Sequence, residues 1–208
     1  LAVMSLLAFT PEAIKQTSLI LNIVVALIAS VKFINAGYFD RKIFLAFVLT
    51  SVPLSFLGGQ TDLSPKYFKL VAGIFLIISS LLLLMKQFIK PRETQIREMP
   101  RYLALGLGSV IGFFSGLIGV GGGIFLSPIL IMANWAEIKK ASGVAALFIL
   151  VNSIAGLAGH VSSLNRIDSN IIIWILAVTA GGFLGSHFGT KKFNKRIITF
   201  CLSLVLMS

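Results

Sequence analysis

The sequence predicts an all-α fold, a polytopic transmembrane helical bundle made of two repeats of inverted topology with a broken, re-entrant glycine-rich segment. Three observations carry this. The chain is 57% hydrophobic and only 12% charged, about half the charged share of a soluble domain. Six apolar runs approach the roughly 20 residues that cross a bilayer as helix. One apolar stretch is interrupted by Gly119-Val120-Gly121-Gly122-Gly123.

The six runs lie near 17–36, 43–59, 67–88, 102–118, 141–160 and 170–189, with shorter ones at 124–133 and 197–208. Their number excludes a single cleavable signal peptide, and no alternating ten-residue pattern points to an outer-membrane barrel. The longest polar stretch, Lys86 to Arg101, holds five cations, Glu93, Glu98 and the helix breakers Pro91 and Pro100. It reads as a linker over 89–100 joining a first repeat, 1–88, to a second, 101–208.

The halves align at a shift near 124 residues. Ile14-Lys15-Gln16-Thr17-Ser18 falls against Ile138-Lys139-Lys140-Ala141-Ser142, Phe39-Asp40-Arg41-Lys42-Ile43 against Ile167-Asp168-Ser169-Asn170-Ile171, and Phe56-Leu57-Gly58-Gly59 against Phe183-Leu184-Gly185-Ser186. Internal duplication is common in carriers, whose substrate site lies between the repeats. On this alignment the first copy of the glycine segment would precede Leu1. The opening on Leu1 and the stop at Ser208, inside an apolar run, are read as the ends of a piece of a longer protein.

Charge decides the path of the chain at the glycines. If 101–133 crosses once, the eighteen Lys and Arg divide evenly between the two sides, which gives no orientation. If the chain turns at Gly119–Gly123 and returns, fourteen lie on the linker side and four on the other. Continuous helix over this stretch would also be about 50 Å long against a hydrocarbon core of about 30 Å. A returning segment is therefore expected, with the linker cytoplasmic and the protein multi-pass in the inner or plasma membrane. An odd number of crossings per half would make the repeats inverted.

Three consecutive glycines dissolve helical preference and free backbone groups that hydrocarbon cannot satisfy. A new helix starts at Ile124, and its first amides form a positive dipole end. No Lys or Arg lies between 102 and 138. Gly119, Gly121, Gly122 and Gly123, with Ser127 and Ser115, thus predict a neutral, donor-rich pocket for a small anion; a purely structural kink is the competing reading. Gly108, Gly112 and Gly116, at four-residue spacing, predict a face for close helix approach. No Gly-Lys-Ser/Thr and no complete G-x-G-x-x-G occurs, so this is no nucleotide loop.

Asn22, Ser30, Asn152 and Ser153 lie inside helices, and Thr17, Ser18 and Ser142 near helix starts. Ligand contact and an interhelical hydrogen bond are equal readings for these. His160 and His187 end helices, where a polar interface position is simpler than proton coupling. Gln60 sits beside Gly58-Gly59, and Lys32 one turn inside a helix end is explained by snorkelling. Cys201 reads as packing. Metal spacings, paired carboxylates and Ser-His-Asp sets are missing, so neither cofactor nor enzyme is expected. The cations flank apolar runs, which argues against nucleic acid. The partners expected are a small anionic substrate and the lipid bilayer; a homodimer is left open.

The run Gly112-Phe113-Phe114-Ser115-Gly116-Leu117-Ile118-Gly119-Val120-Gly121-Gly122-Gly123-Ile124-Phe125-Leu126-Ser127-Pro128, followed by Ala141-Ser142, resembles the signature of the TauE/SafE family of sulfite and organosulfonate exporters. Ala13 to Asn22 is similar to the tail of a first signature copy, and Arg166-Ile167-Asp168 to a loop before a later helix. The resemblance implies an inner-membrane carrier of sulfite, sulfoacetate or other sulfonates. It adds Pro128 to the site residues, and the missing first signature leaves half of a symmetric site out of view. An anion channel and a membrane subunit acting through its glycine face are the alternatives.

Overall fold

The structure, a computed structural model, describes residues 10–88, 96–160 and 171–191. Among these residues there are seven helices: α1 (Pro11–Asn35), α2 (Arg41–Gln60), α3 (Pro65–Phe88), α4 (Arg101–Ile118), α5 (Gly123–Met132), α6 (Ile138–Gly159) and α7 (Ile171–Lys191). The run at 197–208, Cys201, the loop at 166–168 and the side chain of His187 lie outside what is described.

Local chemistry sets the helix ends. Thr10 caps α1 by accepting from the Ala13 amide, with Pro11 in the first turn, where its missing donor costs nothing. Asp40 caps α2 by accepting from the amides of Lys42, at 2.9 Å, and Ile43, at 3.2 Å.

α1, α2, α3, α4 and α6 each contain a stretch long and apolar enough to cross a membrane. The sixth expected run is helical as α7, but its described apolar part, Trp174–Phe183, is shorter. Along α3, Tyr67, Leu70, Ile74, Ile77 and Leu81 recur at helical spacing and are all exposed. A chain folded in water would bury such a stripe, whereas lipid accepts it.

The interior is built on glycine contacts. α2 packs most extensively on α4, and the two run parallel: Gly108 meets the Phe47 backbone, Gly112 that of Ser51, and Gly116 that of Ser55. The face expected to admit another helix is thus filled by α2 of the same chain. α6 joins in the same direction, with Gly59 against Gly156, Gly159 against Phe56, and the Ser55 hydroxyl donating to the Asn152 carbonyl at 2.7 Å. α1 runs opposite to α6, since Tyr38 meets Gly143 near the start of α6 while Leu19 meets Gly156 near its end.

α4 and α5 form a hairpin. The Arg97 amide, just before α4, donates to the Asn134 carbonyl, just after α5, at 2.9 Å. The chain therefore leaves and re-enters at one end of the bundle. The α1–α2 loop lies at this end too, because Lys139 Nζ reaches Tyr38 Oη at 3.0 Å. Thr10, residues 61–64 and His160 lie at the other end.

Candidate functional site at the tip of the hairpin

The hairpin turns on residues that only glycine accommodates well. Gly119 ends α4 in the left-handed conformation (φ 84°), its amide donating to the Ser115 carbonyl at 2.9 Å. Gly122 (φ 73°) opens α5 with no side chain capping it. The amides of Phe125 and Leu126 reach back to the Gly122 carbonyl. Those of Gly123 and Ile124 precede any carbonyl their own helix could offer.

The turn is buried, and residues of three helices close on it. Asn22 of α1 donates from Nδ2 to the Gly119 carbonyl at 3.1 Å. A Cβ on Gly121 would lie 2.8 Å from Ile149 Cγ2 and 3.0 Å from Ser153 Oγ; one on Gly122 would lie 2.8 Å from Ile111 Cγ2 and 3.3 Å from Ser115 Cβ. Ser115 and Ser153 are buried, and neither hydroxyl oxygen has a hydrogen-bond partner. Two unpartnered hydroxyls beside the turn, with Ser153 Oγ next to Gly121, form a donor set suited to a small anion.

The expected site residues divide into those that gather here and those that do not. Asn22, Ser115, Gly119, Gly121, Gly122 and Gly123 gather at the tip. Ser127 is half-buried and Pro128 buried farther along α5. Thr17 and Ser18 are buried on α1 between Lys15 and Asn22, their hydroxyls unpartnered. Asn152 donates from Nδ2 to the Phe148 carbonyl at 2.9 Å, within its own helix, and its Oδ1 has no partner. Ser142 lies near the linker end, its hydroxyl bonded to the Ile138 carbonyl at 2.8 Å. The shared register that paired Thr17 and Ser18 with Ser142 does not bring them together.

Two polar residues read from sequence as boundary groups lie at the end of the bundle but are buried by protein. Lys15, counted among membrane-flanking cations, is only 3% exposed, and its backbone packs on Gly119. Its Nζ donates to the carbonyls of Gly59 at 2.8 Å, Thr61 at 3.2 Å and Gly58 at 3.5 Å. The surroundings of the turn are thus not free of cations, although this charge is directed at the end of α2. His160, at the C-terminus of α6, is buried as well. Burial first, and the Lys15 ammonium second, hold its imidazole below the usual pKa, against the pull of Asp62. No sequence signal marked either, since a lysine one turn into a helix looks like a flanking cation. Lys32, in the last turn of α1, holds its Nζ 4.1 Å from the centre of the Phe183 ring.

An open recess lies beside the turn rather than in it, lined by Glu12, Lys15, Thr61, Asp62, Leu63, Phe68, Leu117 and His160. Leu117 and Lys15 form its boundary with the hairpin tip.

Comparison of the sequence with known proteins identifies a family. The description "Sulfite exporter TauE/SafE" matches residues 1–208. The chain is 33% identical over 209 residues to the probable membrane transporter protein y4hK of Sinorhizobium fredii, covering 100% of this chain and 85% of that protein. It is 24% identical over 221 residues to the probable membrane transporter protein YunE of Bacillus subtilis, covering 95% and 79%. With a probable membrane transporter protein of Methanocaldococcus jannaschii it shares 25% identity over 159 residues, covering 74% and 58%. No solved structure matches the chain significantly. With a match over its full length and a relative one-third identical over all of it, the chain belongs to the sulfite exporter TauE/SafE family.

Proposed function

We propose that this chain is a secondary transporter of small sulfur-containing anions such as sulfite, sulfoacetate or other sulfonates, bound at the glycine turn. The observation that carries the reading is the pair of buried, unpartnered hydroxyls of Ser115 and Ser153 beside the glycine turn that opens α5. The amides of Gly123 and Ile124 and the two hydroxyls would hold an oxyanion through donors alone. Asn22 positions the turn from α1. The family description supports sulfite as the type of substrate.

A carrier is favoured over a channel because Ile111, Phe148 and Ile149 pack directly on the turn and close it. Access then needs the helices to part, with the recess beside Leu117 as the approach from one side. Lys15 and Lys139, equivalent in the sequence alignment, sit at opposite ends of the antiparallel pair α1 and α6, which supports an inverted repeat. The cation-rich end that holds the linker is the cytoplasmic one on the positive-inside rule.

The test is flux in proteoliposomes. Sulfite, thiosulfate and sulfoacetate are offered outside vesicles preloaded with the same anion, and saturable uptake stimulated by the internal anion is expected. Failure to move any sulfur anion would refute the reading, and single-channel currents would replace the carrier by a pore.

A further inference from the structure

The last carbonyls of a helix carry its negative dipole end and lack partners within it. At the end of α2, the carbonyl oxygens of Gly58 and Gly59 converge with that of Thr61 on one point, and the ammonium of Lys15 occupies it, at 3.5, 2.8 and 3.2 Å. The carboxylates of Glu12 and Asp62 line the same recess and add negative potential. Backbone carbonyl oxygens turned toward one point can replace the hydration shell of a monovalent cation. The glycines matter to this shape: Gly58 presses on the α4 backbone and Gly59 on that of α6, so α2 is held where its final carbonyls face α1.

We propose that the carbonyls of Gly58, Gly59 and Thr61 form a monovalent-cation site that Lys15 fills from within the chain. The tethered ammonium does what a bound K+ or Na+ would do there: it neutralises the end of α2 and pins the first turns of α1 to it. Because the cation is covalently supplied, this end of the bundle is stable without alkali-metal ions. The site does not depend on what the chain transports, so a negative flux result leaves it standing.

The experiment is thermal unfolding of the purified protein in chloride salts of N-methylglucamine, Na+, K+ or ethylammonium at equal ionic strength. Wild-type protein should unfold at the same temperature in all four. Lys15→Ala should unfold at a lower temperature in N-methylglucamine and recover saturably with K+ or ethylammonium, as a ligand binding only the folded state requires. Lys15→Met, which keeps the stem without the charge, should also be destabilised. Lys15→Ala unmoved by every cation, or Lys15→Met as stable as wild type, overturns the site. Should both variants fail to accumulate, reductive methylation of wild-type protein decides: Lys15 should react far more slowly than the exposed Lys66 and Lys69, and equal rates overturn the proposal.

Discussion

Ser115 and Ser153 separate a binding role from a packing role more cleanly than the glycines do. A buried hydroxyl without a partner costs about 1–3 kcal/mol of desolvation, so Ser115→Ala and Ser153→Ala should leave the melting temperature unchanged or raise it. Their effect on sulfite flux should be a loss of about tenfold or more, the equivalent of roughly 1.4 kcal/mol or more of binding. Wild-type flux in both alanine variants would remove the hydroxyls from the site. Substituting the glycines cannot make this distinction. At Gly122 any side chain meets Ile111 and Phe148 and adopts a left-handed conformation that costs an L-residue about 1–2 kcal/mol, so Gly122→Leu confounds folding with transport.

The α2–α4 pair shows how one residue type serves different ends along a single helix. A Cβ at Gly112 would collide with the Ser51 backbone, whereas one at Gly106 would meet nothing within 4 Å. Gly106→Ala should therefore stabilise the protein by about 0.5–1 kcal/mol through helix propensity. Gly112→Ala should destabilise it by at least about 1–3 kcal/mol, because backbone cannot yield as a flexible side chain would. Thermal unfolding of the two variants in one detergent compares them directly, and equal shifts would contradict the close packing. The four-residue spacing of Gly108, Gly112 and Gly116 was legible in the sequence as a contact face. Its occupant was not, because a partner chain and a neighbouring helix ask the same of a small-residue stripe.

At the scale of the molecule, the hairpin decides which loops share a side. With Cys201→Ser as background, single cysteines Ala36→Cys and Glu137→Cys lie at the linker end and Asp62→Cys at the other. A membrane-impermeant maleimide added to intact cells should label Asp62→Cys alone. Labelling Ala36→Cys and Glu137→Cys from opposite faces would break the hairpin, and labelling both from outside would reverse the orientation drawn from the cation count. Lys15, the cation that counting misjudged, stands at the end of the bundle to which it was assigned. Its burial changes its role and not its side.

Composition, the length of the apolar runs, the glycine break and the distribution of Lys and Arg determined the helical membrane class, the positions of the helices and the returning segment, since these follow from covalent geometry, the thickness of a bilayer and the placement of positive charge along the chain. Only the tertiary structure decided which polar groups meet. It placed Asn22 on the Gly119 carbonyl, brought Ser153 to Gly121, sent Ser142 to the linker end, and drew Lys15 inward to the carbonyls of α2. The reason is that a polar residue in an apolar helix needs some partner, and its sequence position does not say which. That choice belongs to the neighbours the fold supplies.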